Sequence, residues 1–183
     1  GERVSADEKV VSFFETHTAI IEKGGRETVF GHKICLTAGK TSLVTDCLIE
    51  PGNPADTDFF PDALKRHRKL YGFAPTAIAT DGGFASSDNA KLALGMGVKD
   101  ICFGKRVGDK LKDLLPSGAV HRLLMRFRAG IEGIISALKR GVGLTRCLWK
   151  GWESFQAYVW SSILAHNVKI LTGLVLDRRK AAA

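Results

Sequence analysis

The chain has 183 residues, of which 45% are apolar and 25% are charged. This length is sufficient for one buried core but short for two domains, and the composition excludes a disordered chain and a coiled coil. Lys and Arg together number 27 against 19 Asp and Glu, so the formal net charge is +8. This excess favours an anionic partner, with nucleic acid, a membrane surface and an acidic protein as the alternatives.

The sequence predicts neither a membrane span nor a signal peptide. The most apolar stretch, residues 161–176, is interrupted by His166, Asn167 and Lys169, whereas a transmembrane helix needs about 18 consecutive apolar residues. The N-terminus is polar and charged, unlike a secretory signal. The chain begins at Gly1 without an initiator methionine, so we interpret residues 1–183 as one domain cut from a longer protein.

The cysteines and histidines predict no zinc site and no disulfide. Cys35, Cys47, Cys102 and Cys147 lack C-x-x-C spacing, and most of them adjoin apolar residues. We therefore expect reduced core cysteines in a cytosolic protein. No H-E-x-x-H motif and no P-loop pattern occurs, so neither zinc hydrolysis nor a nucleotide cofactor is implied.

In chain order, residues 1–50 predict an antiparallel meander. Strands are expected at residues 10–14, continuing into 17–21, and at 28–36 and 43–49, because these segments are rich in β-branched and apolar residues. A turn at residues 38–40 joins the last two strands.

Helices and strands alternate in the rest of the sequence. Helices are expected at 58–71, at 88–94 with Ser86 or Ser87 as the cap, and at 120–139 and 151–171; strands are expected at 76–80 and 100–103. This order predicts an α/β fold with a mixed central sheet flanked by helices. Five aromatic residues at mostly helical spacing are predicted to pack in the core rather than to stack on bases: Trp149, Trp152, Phe155, Tyr158 and Trp160.

Asp81 is a candidate catalytic acid because it directly follows the predicted strand at 76–80. Sites in α/β sheets form at the carboxyl ends of strands. Gly82 and Gly83 allow a sharp turn that leaves the carboxylate uncovered. The alternative interpretation is an ordinary Asp-Gly-Gly turn.

Glu132 is the second candidate because it is the single acid between residues 120 and 152, a span that carries seven cations. At 3.6 residues per turn, Arg128 and Lys139 share its helix face. One interpretation is a surface ion pair between Arg128 and Glu132. The other is a metal-binding glutamate between two cations that hold phosphates.

Four segments in order resemble the catalytic domain of bacterial insertion-sequence transposases of the DDE class. The segments are Phe30-Gly31-His32-Lys33, Pro51-Gly52-Asn53-Pro54-Ala55-Asp56, Thr80-Asp81-Gly82-Gly83-Phe84-Ala85-Ser86 and Arg128-x3-Glu132-x6-Lys139. The family signature also has a Tyr three residues before the Arg, where this chain has Met125. The resemblance spans roughly residues 8–170.

The resemblance implies a ribonuclease H-like fold, in which three antiparallel strands precede parallel strands. It also implies metal-dependent DNA nicking and strand transfer during transposition of an insertion sequence. Two alternatives remain: a catalytically inactive DNA-binding remnant of a transposase, and a ribonuclease H-like nuclease without joining activity.

The resemblance also assigns residues. Asp81 and Glu132 would be catalytic metal ligands, and Arg128, Lys139, Lys33 and Arg140 would bind DNA. The first acid of the triad is open: similar proteins would carry an Asp where Ala19 stands, so either that ligand is lost or Glu15, on the same face of the strand, replaces it. Asp46, inside the third predicted strand, is a weaker candidate.

The implied cofactor and partners follow from the same resemblance. Two Mg²⁺ ions, with Mn²⁺ as a possible substitute, suit a carboxylate site for phosphodiester chemistry. The implied partner is double-stranded DNA, as transposon ends and target, bound by a homodimer. We expect a bacterial, cytoplasmic, nucleoid-associated protein that lacks a membrane partner and whose sequence-reading domain lies upstream of this fragment.

Overall fold

A computed structural model of the chain describes residues 11–13, 15–21, 29–104 and 118–182. The strands in these ranges are β1 (Ala19–Ile21), β2 (Val29–Gly31), β3 (Ile34–Ala38), β4 (Val44–Ile49), β5 (Ala77–Thr80) and β6 (Asp100–Phe103). The helices are α1 (Asp56–Tyr71), α2 (Ser87–Gly95), α3 (Gly118–Gly141) and α4 (Trp152–Ala182), with a 3₁₀ turn at Gly82–Phe84.

The strands pair two by two. β1 and β2 are antiparallel, β3 and β4 are antiparallel, and β5 and β6 are parallel. The α/β class and the change from antiparallel to parallel pairing are therefore confirmed. Within the described ranges, however, the strands form three separate two-stranded sheets, and the single mixed sheet predicted from the sequence is not formed. The ribonuclease H-like strand order stays a prediction.

The strand predicted at 28–36 is interrupted after Gly31, and the physical reason is the side chain of Asn53. Its amide nitrogen donates to the Gly31 carbonyl at 3.2 Å, and its oxygen accepts from the Lys33 N–H at 2.7 Å. These backbone groups thus bond to a side chain instead of a neighbouring strand. Asn53 has φ 50°, a left-handed conformation that asparagine tolerates.

The predicted strand at 10–14 is wrong for residues 11–13, which the structure describes outside any strand, while residues 10 and 14 lie outside the described ranges. The Ser12 hydroxyl accepts a hydrogen bond from the Glu15 N–H at 3.1 Å, and Thr18 N–H donates to the Glu15 carbonyl at 3.0 Å. Such local bonds turn the chain before β1 begins.

The helices agree with the sequence and differ mainly at their ends. Gly72, with φ 79°, ends α1, and its N–H donates to the Arg68 carbonyl. The Ser86 hydroxyl accepts from the Asn89 N–H at 3.0 Å, so Ser86 rather than Ser87 caps α2. α3 and α4 are both longer than predicted.

Two groups of buried side chains hold these elements together. One joins β4 to α3 and α4: Val44, Cys47, Ile49, Ile134, Leu138, Val159 and Ile163. The other joins α1, α2 and β6: Phe60, Leu64, Ala90, Ala93, Val98, Ile101 and Phe103. Because Ile134 and Leu138 place one face of α3 in the first cluster, its polar face is left to present Arg128 and Glu132 at the end of β5.

The predicted burial of cysteines is confirmed for Cys35, Cys47 and Cys102, and all four cysteines are free. Burial raises the pKa of the Cys35 and Cys47 thiols to about 12. These thiols therefore stay protonated and act as small apolar core residues.

α4 is long enough and apolar enough to cross a membrane by length and composition, which the interrupted stretch in the sequence did not predict. An 18-residue window of this helix has a mean hydropathy of 1.4, and 22% of that window is buried. Core helices of soluble proteins pass the same test, and Val159 and Ile163 of α4 pack against β4 and α3. The absence of a membrane partner stays a prediction.

Candidate active site

Asp81 lies at the carboxyl end of the parallel β5–β6 pair. It directly follows β5 and precedes the 3₁₀ turn at Gly82–Phe84, in which the Phe84 N–H donates to the Asp81 carbonyl. Gly104 follows β6, and its N–H donates to the Thr80 carbonyl at 2.7 Å. The two strand ends therefore meet at one edge, as parallel pairing requires. The Asp81 side chain is 55% exposed.

Arg128 joins Asp81 to Glu132. Its Nε donates to Asp81 Oδ1 at 2.7 Å, and its Nη2 donates to the same oxygen. The same Nη2 lies 3.3 Å from Glu132 Oε1, one turn further along α3. Because both carboxylates reach one nitrogen, their nearest oxygens are within about 6 Å of each other.

The interpretation of Arg128 and Glu132 as a mere surface pair along one helix is therefore incomplete. The Arg128 side chain is only 23% exposed, whereas the Glu132 side chain is 67% exposed. The guanidinium links two acids that are 51 residues apart in sequence, as their numbers 81 and 132 give. Two carboxylates converge on one cation at this point.

Gly104 makes room for Arg128. A Cβ at this position would lie 2.8 Å from Arg128 Nε, 3.0 Å from its Cδ and 3.1 Å from the Thr80 carbonyl oxygen. These distances are shorter than ordinary van der Waals contacts. Any larger residue would push the guanidinium away from Asp81, so glycine at the end of β6 is part of the site.

Lys33 lies beside the same turn but is engaged by another acid. Its Nζ is 3.3 Å from Asp56 Oδ1 and donates to the Pro54 carbonyl at 3.2 Å. The Asp56 carboxylate packs against Gly83, where a Cβ would overlap with it. Asp56 lies in a segment of the family resemblance but was assigned no role there. The predicted helix began at residue 58, whereas α1 begins at Asp56, so the sequence did not indicate its position in the first turn.

Glu15 is held at the start of α4. Its carboxylate accepts from the Gly151 N–H at 2.9 Å and lies 2.6 Å from His17 Nε2. The Gly151 hydrogen bond, followed by the interaction with His17, lowers the pKa of Glu15 against the opposing effect of desolvation. Glu15 therefore fastens the segment before β1 to the N-terminal end of α4.

A histidine pair connects Glu15 to a small aromatic cluster. His17 Nδ1 is 2.9 Å from His32 Nε2, and the His32 ring packs against Trp152 and Phe155 with centroids 5.0 and 4.7 Å apart. Burial, with a further contribution from His17, lowers the pKa of His32. We read this cluster as packing between β2 and α4.

The described residues contain no group of three His, Cys, Asp or Glu side chains placed to hold one metal ion. The structure brings Asp81 and Glu132 together through Arg128, and within the described ranges no contact joins Glu15 to either. Ala19 lies in β1, opposite Gly31, whereas Glu15 lies in the turn before this strand. The prediction that Glu15 and Ala19 share one strand face is therefore wrong. Which residue supplies the first acid stays open.

Asp46 has a structural partner that accounts for it. Its carboxylate accepts two hydrogen bonds from Arg66, at 2.7 and 2.8 Å, and its side chain is 8% exposed. Burial alone would raise the pKa of Asp46, but the hydrogen bonds from Arg66 and from the Cys47 N–H outweigh it, and the pKa is lowered. This pair joins β4 to α1.

Lys139 and Arg140 lie exposed in the last turn of α3. Neither forms an ion pair within the part of the chain that the structure describes. Lys139 lies seven residues after Glu132, which corresponds to about 10 Å along the helix. Cations without acidic partners at this spacing are available to an external anion.

A family model described as "Transposase DDE domain" matches residues 3–168. No curated protein and no solved structure gives a significant match. The match spans the strands, the Asp81 turn, α3 and most of the buried part of α4. Members of such a family act on DNA and generally use divalent metal ions. The chain therefore belongs to the family of transposase DDE domains.

Proposed function

We propose that this domain nicks DNA and transfers the resulting strand during transposition, with Asp81 and Glu132 as two of its catalytic acids. The observation that carries the proposal is the convergence of these two carboxylates on Arg128 at the carboxyl end of β5. A ribonuclease H-like arrangement of the sheets would be the scaffold of that site.

The pair fits a divalent cation. Carboxylate oxygens are the ligands that Mg²⁺ prefers, and the two acids lie at an exposed edge that leaves room for water ligands. A guanidinium already supplies positive charge between them, which marks the position as one that stabilises a cation. Mg²⁺, or Mn²⁺ in its place, would supply Lewis-acid activation and charge stabilisation for phosphodiester displacement.

The cations of α3 would position the substrate. Arg128 and Lys139 flank Glu132 on one helix face, one turn before it and two turns after it, and Arg140 extends the positive surface. Phosphates bound there would lie beside the acids. In nicking, the oxygen of water bonds to phosphorus and the 3′-oxygen leaves as a hydroxyl. In transfer, the oxygen of that 3′-hydroxyl bonds to a target phosphorus, and the 3′-oxygen of the target strand leaves and takes up a proton.

The direct test is nicking of supercoiled plasmid with Mg²⁺. Asp81→Asn and Glu132→Gln should each abolish nicking while retaining DNA binding, because each loses a charge and keeps its shape. Asp88→Asn and Glu153→Gln, exposed acids in α2 and α4, are the matched controls. Nicking by either active-site variant at the control rate would refute the assignment.

The first acid is tested separately. If Glu15 is a ligand, Glu15→Gln removes nicking; if the ligand was lost at Ala19, Ala19→Asp raises nicking because it restores a third carboxylate. The second candidate function, an inactive DNA-binding remnant, is favoured by the convergence of only two acids within the described residues. It predicts that neither variant changes nicking. A strand-transfer assay distinguishes a transposase from a simple nuclease.

The partners of the domain would be DNA and a second copy of the chain. Transposon ends and target DNA would be bound by a homodimer, without a nucleotide cofactor, in the bacterial cytoplasm near the nucleoid. The family supports the DNA partner.

A further inference from the structure

The loop between α3 and α4, residues 142–151, presents two large apolar side chains to solvent. Leu148 is 77% exposed and Trp149 is 53% exposed. The sequence predicted that Trp149 and Trp160 pack in the core, and the structure contradicts both predictions. Trp149 lies in the loop before α4 begins at Trp152, and Trp160 of α4 is 41% exposed. Contiguous exposed apolar surface often marks a binding site.

The loop is built by specific contacts rather than left to vary. The Tyr158 hydroxyl of α4 donates to the Gly143 carbonyl and, at 3.2 Å, to the Arg146 carbonyl. The Thr145 hydroxyl donates to the Lys139 carbonyl at 2.9 Å. Trp149 packs edge-on against the Tyr158 ring, with centroids 6.0 Å apart. These contacts hold the apolar tip in one orientation.

Positive charge predominates around this tip, although the carboxylate of Glu15 lies at the Gly151 end of the loop and interacts with Lys150. Between Glu132 and Glu153 the sequence contains no acid, whereas it contains four cations: Lys139, Arg140, Arg146 and Lys150. Arg146 and Lys150 flank the tip, and both are exposed. A protein partner would need both an apolar surface for the tip and acidic side chains for the surrounding cations. A nucleic acid offers both phosphates and apolar base and sugar surfaces.

The loop continues from the helix that carries Glu132 of the candidate active site. α3 rises about 10 Å from Glu132 to Lys139, and the loop follows directly. A DNA backbone bound along Arg128 and Lys139 would therefore continue towards Arg146. Proteins that bind the minor groove often insert apolar side chains between base steps and partly unstack them.

We propose that loop 142–151 is a DNA-binding element in which Leu148 and Trp149 pack against the minor groove of the duplex DNA that is bound along α3. Arg146 and Lys150 bind the phosphates on either side of this contact. The inference rests on the proposed function, since it takes DNA as the substrate. It adds a binding site, formed by the apolar tip, to the site formed by the cations of α3.

The first experiment measures binding of the full chain to a mixed-sequence linear duplex in metal-free buffer, at several salt concentrations. Trp149→Ala should weaken binding about tenfold without changing the salt slope, because stacking contacts contribute without releasing counterions. Trp149→Phe should retain most of the affinity. Arg146→Ala should reduce the salt slope by about one.

Trp160→Ala is the matched control, because Trp160 of α4 is also exposed, at 41%, but lies outside the loop. Equal binding by the Trp149→Ala and Trp160→Ala proteins would overturn the proposal. So would unchanged DNA affinity accompanied by loss of a dimer, which would assign the tip to a protein contact. DNA binding is measured without metal and does not depend on catalysis. The binding result can therefore be interpreted even if the protein does not nick DNA.

A second measurement covers the case in which Trp149→Ala does not fold. In the Trp160→Phe protein, Trp149 is the most exposed tryptophan, since Trp152 is half-buried. Addition of the duplex should protect its fluorescence from quenching by acrylamide, a neutral quencher. Quenching that is the same with and without DNA would refute the contact.

Discussion

The positive charge of Arg128 interacts with both candidate metal ligands and therefore competes with a metal ion. Removal of Arg128 should strengthen metal binding. Two unit charges about 4 Å apart interact by about 1–4 kcal/mol at effective dielectric constants between 80 and 20. The Asp81 and Glu132 side chains are 55% and 67% exposed, which favours the lower end of that range. If Arg128 contributes about 1 kcal/mol at each carboxylate, the metal ion must overcome about 1–2 kcal/mol in total. This lowers the metal affinity about five- to thirtyfold.

Isothermal titration calorimetry with Mg²⁺, in the absence of DNA, measures this effect. Arg128→Ala should bind the ion about five- to thirtyfold more tightly than the unaltered protein, while its DNA nicking falls because a phosphate ligand is lost. Arg126→Ala removes an exposed cation from the same helix without touching either acid and is the control. Equal or weaker Mg²⁺ binding by Arg128→Ala than by Arg126→Ala would refute the reasoning.

Three further outcomes follow from the structure. Arg66→Ala should lower the free energy of unfolding, measured with denaturant at neutral pH, by about 2 kcal/mol, because it leaves the buried Asp46 carboxylate without its cation. The loss is smaller than for a fully buried pair because Arg66 is half-exposed. The pKa of Asp46 is lowered in the folded state, so this difference should shrink as the pH falls through the acidic range and Asp46 is protonated; a constant difference would refute it. Lys139→Ala should weaken binding to all DNA sequences alike and reduce the salt slope by about one, and a sequence-selective loss would instead indicate base reading. Gly104→Ala should reproduce the metal-binding effect of Arg128→Ala, since its Cβ meets the guanidinium; an unchanged calorimetric titration would show that the arginine adapts.

The parts of the site that follow local periodicity could be predicted from the sequence. Helical spacing placed Arg128 and Glu132 one turn apart on the same face of α3, and the structure confirms their contact. The position of Asp81 after β5 followed from a short apolar strand with two glycines behind it. Both predictions depend only on neighbours within a few residues.

The contacts that the sequence did not predict join distant parts of the chain. Glu15 and Gly151 are separated by 136 positions, and nothing in either local pattern indicates the other. Asn53 interrupts the strand predicted at 28–36 with two hydrogen bonds, to residues 20 and 22 positions away. Trp149 fits helical spacing but precedes the helix, because α4 begins only after Gly151. Side-chain bonds of this kind override propensity and hydrophobic period.

The central claim is that the carboxylates of Asp81 and Glu132 together hold the divalent ion. Electron paramagnetic resonance of Mn²⁺ counts the bound ions directly and requires neither DNA nor turnover. The account predicts that Asp81→Asn and Glu132→Gln each weaken Mn²⁺ binding strongly, while Asp88→Asn and Glu153→Gln bind as the unaltered protein does. Mn²⁺ binding by both active-site variants with unaltered affinity would contradict it.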